Sequence, residues 1–363
     1  FLAEAFIDHI GNYDPVFGSR VVPVMQAIGR NLDLLKSVEG VDERVTRLAG
    51  PERAQPNGGL FELLVAAAYR RAGAQVHFVP ELRGVAKTHD MDVDINGTSW
   101  AVECKRMETG EYGERERQTI RERWGPLAVT FAEKRCNAFG DIHFKAPLDE
   151  MPEDYLRQIA IRFVQGGCKK IAWNDDISSG TLVSLDMRPI RRVLKSNLLL
   201  AGSSRLMQLL TGDYVRNAPY NCILSMKYAD NPRYAKACDG AVVLRWESGS
   251  DKAIEAKARD ILKRLSEATS QLPADRPGVV HIGFEAVEGD RVEKARFRKI
   301  LKTTGSFDAR GKPLAYVYCH YFVPESPPDQ SWAFDETTQW VAMNPTEARP
   351  LGDIVLAHGV IAR

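Results

Sequence analysis

The dipeptide Asn96-Gly97 constrains this chain more than any other short segment. It lies between residues 90–95 and 98–105, two stretches in which apolar and polar side chains alternate with a period of two. Asn-Gly supplies the two consecutive positive-φ positions that a tight hairpin turn requires. A turn there pairs Ile95 with Thr98, Val93 with Trp100 and Met91 with Val102, which gives one apolar face. The other face sets Asp94 opposite Ser99, Asp92 opposite Ala101 and Asp90 opposite Glu103. Lys105 lies on that face too, diagonal to Asp90.

This pattern has a chemical consequence. Directly opposed carboxylates repel, and a cation between them relieves the repulsion. Asp90 and Glu103, with Asp92 diagonal to Glu103, form an oxygen-rich group suited to Mg²⁺ or Mn²⁺. Lys105 is placed to orient a water or to stabilise a phosphoryl oxygen. Hairpin register favours Asp90 as the main ligand, and a one-residue bulge would favour Asp92. The competing reading is a hairpin with a solvated polar face. Two features weigh against it. Trp100, Val102, Val93 and Ile95 bury the back of the hairpin, and Glu62 sits inside the apolar run Leu60-Phe61-Glu62-Leu63-Leu64, shortly before it.

Composition leaves the function class open. The 363 residues suffice for two domains or for one domain with a large insertion. With 49 basic and 48 acidic side chains the net charge is +1, which neither points to nor excludes a nucleic-acid partner. The six cysteines form no C-x-x-C pair, which excludes a zinc knuckle, and their scatter reads as reduced thiols of a cytoplasmic protein. No apolar run of about 18 residues predicts a membrane span, and no signal peptide is evident.

Along the chain, residues 1–56 read as a helical segment and residues 60–72 as an alanine-rich helix with Gly73 as its cap. A strand is predicted over 74–79. Residues 110–135 read as a charged helix, most simply a solvated one. Strands are predicted over 171–173, 181–185 and 241–246, and an interrupted helix over 190–210. A continuous helix is predicted over 251–272, followed by strands over 278–287 and 314–323. His281 and His320 on those strands read as core residues rather than ligands. Tyr316, Tyr318, Tyr321 and Phe322 read as core rather than as a base-stacking platform. Residues 324–363 form a proline-containing extension.

The order of a helix with Glu62, a strand, and then HDMDVDINGTSWAVECKR over residues 89–106 resembles the PD-(D/E)XK, or restriction-endonuclease-like, nuclease superfamily. The resemblance covers residues 58–106, and His89 stands where the motif's name places proline. It implies an α/β fold with an αβββαβ core around a mixed sheet. The core would be split between residues 57–109 and 251–323, with residues 110–250 as an insertion. It also implies that Asp90 and Glu103 hold Mg²⁺ or Mn²⁺, that Lys105 acts on the attacking water, and that Glu62 is the first-helix acid. The expected reaction is phosphodiester hydrolysis, in DNA by preference and in a restriction or phage-defence setting. A homodimer would allow both strands to be cut. The alternative is a non-cleaving nucleic-acid-binding or scaffold protein that keeps the fold.

Overall fold

The computed structural model describes residues 15–53, 55–80, 88–108, 110–329, 333–352 and 355–356. The chain is a mixed α/β protein, and its described residues contain two six-stranded sheets. Helices α1 (Pro15–Arg30), α2 (Leu32–Lys36) and α3 (Val41–Ala49) come first, and residues 1–14 of the expected helical segment lie outside the described residues. Helix α4 (Asn57–Arg71) follows, then strands β1 (Gln75–Phe78), β2 (Met91–Ile95) and β3 (Thr98–Met107). The chain returns to this sheet through helices α9 (Asp251–Lys257) and α10 (Leu262–Gln271), strand β10 (Gly278–Glu285), helix α11 (Asp290–Ser306) and strands β11 (Leu314–Glu325) and β12 (Ala333–Ala342).

The first sheet runs β1-β2-β3-β10-β11-β12. Strands β1, β2 and β3 form an antiparallel meander, and β3, β10 and β11 are mutually parallel neighbours. Parallel strands need covering on both faces, and both are covered. Trp100, Val102, Met91 and Val93 pack on one face with Phe61, Leu64, Val65 and Ala68 of α4. Ala101, Val280 and Ile282 pack on the other with Leu265 and Ala268 of α10 and Ile300 of α11.

The hairpin forms as its sequence dictates. Asn96 and Gly97 take φ of 55° and 80°, and the ladder pairs Ile95 with Thr98, Val93 with Trp100 and Met91 with Val102. The ladder ends at Met91, so the expected Asp90–Glu103 pair is not part of it. Instead the Asp90 amide donates to the Val102 carbonyl at 3.1 Å, a local slip that turns Asp90 out of the regular alternation.

Residues between the two halves of the first sheet build the second. Helix α5 (Glu111–Glu133) leads into β4 (Ala138–Phe144), helix α6 (Tyr155–Gln165), β5 (Lys170–Asn174) and β6 (Ser178–Ser184). Helix α7 (Arg188–Val193), β7 (Leu199–Leu200), helix α8 (Ser204–Thr211), β8 (Tyr220–Tyr228) and β9 (Tyr234–Ser248) complete it. Its order is β5-β6-β4-β9-β7, with β8 also paired to β9. It has its own apolar core around Trp124, Phe131, Phe144, Phe163 and Leu244.

Three expectations change. The interrupted helix over 190–210 is two helices with the short strand β7 between them, because Leu199 and Leu200 pair with Ala235 and Tyr234. The single helix over 251–272 is broken between Lys257 and Leu262, where Ala258 caps α9 with ψ of 66°. The extension after residue 323 contributes β12, paired along β11. Among the described residues no helix is long and apolar enough to cross a membrane.

Trp100 is 1% exposed and meets Tyr316 at 6.1 Å, with the rings tilted 49° to each other, in the core beneath the hairpin. Trp100→Ala is expected to destabilise the protein by about 3–5 kcal/mol, read as a lower urea midpoint with an unchanged m-value.

Candidate active site

The sheet and two helices bring Glu62, Asp90, Glu103, Lys105 and Arg44 together. Asp90 is fixed from several sides. Its Oδ2 accepts the Cys104 amide at 2.7 Å. Its carbonyl accepts the Val79 amide at 3.0 Å and the Arg44 guanidinium at 3.1 Å. The residue therefore bridges the end of β1, the middle of β3 and helix α3.

Glu103 is fully buried, and its Oε1 accepts the Lys105 ammonium. Its Oε2 is buried and has no hydrogen-bond partner. Glu62 projects from α4 and forms an ion pair with Arg44 at 3.0 Å. The same guanidinium lies 4.0 Å from the Asp90 carboxylate, donates to the Val79 carbonyl at 3.2 Å and packs over the Phe78 ring. Arg44 is thus the cation that the two carboxylates share.

The electrostatics follow from this crowding. Burial, reinforced by the Asp90 charge, pushes the Glu103 carboxyl up to about 9. Burial and Asp90 likewise push Glu62 up to about 8, against the opposing pull of Arg44. Asp90 is also raised by burial, held back by the Cys104 amide and by Lys105. Burial works against the Lys105 charge, but Glu103 and Asp90 outweigh it and hold its pKa above the ordinary value.

The expected residues divide as follows. Glu62, Asp90, Glu103 and Lys105 form one cluster. Asp92 is engaged elsewhere: its Oδ1 bonds His89 at 2.7 Å and Arg276 at 3.1 Å, while in the ladder it faces Ala101. Arg44 was not expected. A buried arginine in a short polar helix gives no local sign of its partner, and its contacts to residues 62, 79 and 90 are set only by tertiary packing.

The donor set fits a divalent cation at Asp90 and Glu103. Both are oxygen donors, and Glu103 Oε2 is a buried acceptor without a partner. The carboxylates are already engaged by Arg44 and Lys105, and among the described residues no group of three or more His, Cys, Asp or Glu side chains is assembled to hold a metal. Comparison of the chain with protein-family models, with curated proteins and with solved structures finds no match.

Removing Arg44 takes away the ion-pair partner of Glu62 and the nearby cation of Asp90. Arg44→Ala is expected to cost about 3 kcal/mol at pH near 8, and less near pH 5, where Glu62 holds its proton. Denaturant titrations at the two pH values read this difference.

Glu103 and Glu62 bind protons in the folded chain up to about 9 and about 8, against 4.5 ordinarily. In that window the folded state holds more protons than the unfolded one, so stability falls as pH rises. Metal-free protein is expected to lose stability from about pH 5 to about pH 9. Glu103→Gln, which cannot ionise, should flatten this slope and melt higher than the parent near pH 8, as followed by thermal denaturation.

Proposed function

We propose that this protein is a divalent-metal-dependent nuclease that hydrolyses phosphodiester bonds, with DNA as the favoured substrate. The observation that carries this reading is the convergence of Glu62, Asp90, Glu103 and Lys105 from α4, the approach to β2, and β3. The order of elements supports it. Helix α4, strands β1 to β3, helix α10 and strand β10 follow the αβββαβ succession of restriction-endonuclease-like nucleases, with residues 111–248 intervening between β3 and the second half.

In this reading Asp90 and Glu103 hold Mg²⁺ or Mn²⁺. When bound, the cation supplies charge neutralisation for the phosphoryl oxygens and makes water a better nucleophile. The chain's own residues do the rest. The Cys104 amide fixes the Asp90 carboxylate, so one ligand is preorganised. Lys105, whose ammonium donates to Glu103, would donate a hydrogen bond to the reacting phosphate or its attacking water. Glu62 is held beside Asp90 by Arg44 and would add negative charge there only once it ionises, near pH 8. Because Glu103 holds its proton to about 9, metal must displace that proton, and affinity should rise with pH.

The second reading is a non-cleaving scaffold of the same fold. It is favoured by the engagement of the carboxylates with Arg44 and Lys105. Incubation with plasmid and with single-stranded DNA, with Mg²⁺ or Mn²⁺ and then with EDTA, separates the two. Metal-dependent cleavage that Lys105→Ala reduces by about 10²-fold or more is expected. Intact DNA in both metals, across pH 6 to 9, would establish the scaffold reading instead.

A further inference from the structure

Two cysteines of the second sheet occupy equivalent places in a repeated local structure. Helix α5 ends with the Cys136 amide bonded to the Phe131 carbonyl at 2.8 Å and the Arg135 amide bonded to Ala132 at 3.0 Å. Helix α6 ends with the Cys168 amide bonded to Phe163 at 3.0 Å and the Gly167 amide bonded to Val164 at 3.0 Å. Arg135 and Gly167 both have positive φ, 55° and 72°. Each helix therefore closes in a Schellman cap with a cysteine directly after a left-handed residue, and Cys168 itself also takes a φ of 57°.

The two caps lie side by side. The Phe131 and Phe163 rings meet edge to face at 5.8 Å. The chain then enters β4 and β5, which flank β6 on its two sides. Asn137 and Lys169, each one residue past a cysteine, accept from consecutive residues at the end of β6, Leu185 just beyond it at 3.1 Å and Ser184 at 2.8 Å. The cysteines belong to one apolar core cluster. The two thiols are close enough for Cys168 to raise the Cys136 pKa.

We propose that Cys136 and Cys168 are an oxidant-responsive pair that closes to a disulfide joining the ends of α5 and α6. Cys168 is half-buried and Cys136 buried, so Cys168 meets the oxidant first. Burial and the neighbouring thiol push Cys136 up to about 12, so Cys136 stays protonated and is not the thiol that reacts first. With hydrogen peroxide, the Cys168 sulfur attacks one oxygen, the O–O bond breaks, and a sulfenic acid and one water form. The Cys136 sulfur then attacks the Cys168 sulfur. The S–O bond breaks, the S–S bond forms, and the hydroxyl leaves with the Cys136 proton as a second water. Both sulfurs are oxidised and the peroxide is reduced.

The test uses the full chain, first reduced and then treated with graded hydrogen peroxide, quenched, digested without reductant and analysed by mass spectrometry. A Cys136–Cys168 linked peptide, lighter by two hydrogen atoms than its parts and lost on reduction, is expected before any link through exposed Cys222. Cys136→Ser should abolish the link and leave Cys168 as a sulfenic acid trapped by dimedone. Cys168→Ser, at the more exposed position, should abolish it without a folding defect and leave Cys136 a free thiol. Circular dichroism checks both variants. Cys168 oxidised beyond the sulfenic stage while Cys136 stays free in the parent protein would overturn the proposal. So would a predominant link of either cysteine to Cys222, or an unreacted pair at a dose that oxidises Cys222.

Discussion

Three carboxyl groups share one patch of interior with two cations, and this imbalance organises the site. Fully ionised, Glu62, Asp90 and Glu103 would outnumber Arg44 and Lys105. Water is too scarce there to screen the excess, so burial raises all three carboxyl pKa values. Protonation of Glu103 and Glu62 relieves the excess. Arg44 offsets part of that excess, because its guanidinium serves two of the three carboxyl groups at once.

The surrounding fold keeps that arrangement from relaxing. Cys104 is the pivot. Its amide holds Asp90, while its strand neighbour across the ladder is His281. His281 begins a buried polar chain. Its ring bonds the Tyr69 hydroxyl at 3.0 Å and His320 at 2.9 Å, and His320 bonds Glu336 at 2.8 Å. Glu336 in turn accepts the Val355 and Leu356 amides. Burial holds the His281 pKa well below the usual value, so this ring stays neutral and serves as a hydrogen-bonding link. A satisfied buried network of this kind specifies one packing of α4, β10, β11 and β12 against each other, and α4 is the helix that delivers Glu62.

The parts of this structure legible in the sequence are those governed by short-range rules. Asn96-Gly97 set the turn, and the turn set the pairing of Met91 through Ile95. The apolar stripe around Glu62 marked α4 correctly, with its N-terminus three residues earlier than read. Asp90 shows where such rules stop. Its place depends on bonds to Val79, Val102 and Arg44, none of which is encoded by alternation. Asp92 satisfies the same alternation but is drawn off by Arg276, distant in sequence and brought near by the turn into β10. Helix α11 escaped notice because its charged residues mask the stripe of Val292, Ala295 and Ile300 that it buries. Edge strand β12 lacked a clear period because it is half-covered.

The position of the second sheet in the chain gives the site a mechanical setting. The chain leaves the first sheet just after Met107, two residues beyond Lys105, and returns through α9 and α10. The two crossing segments are tied at the neck. Arg259 donates to the Glu108 carbonyl at 2.8 Å, and the Arg259 side chain lies so close to Gly110 that a Cβ there would meet it at 2.9 Å. Just beyond, Lys257 pairs with Glu116 at 3.2 Å and donates to the Ser248 carbonyl at 3.1 Å, both partners being nearly inaccessible. A buried ion pair contributes little net stability but is costly to mispair, so it fixes one docking geometry for α5 against α9. The segments that join the second sheet to the end of β3 carrying Glu103 and Lys105 are thus held by direct side-chain contacts.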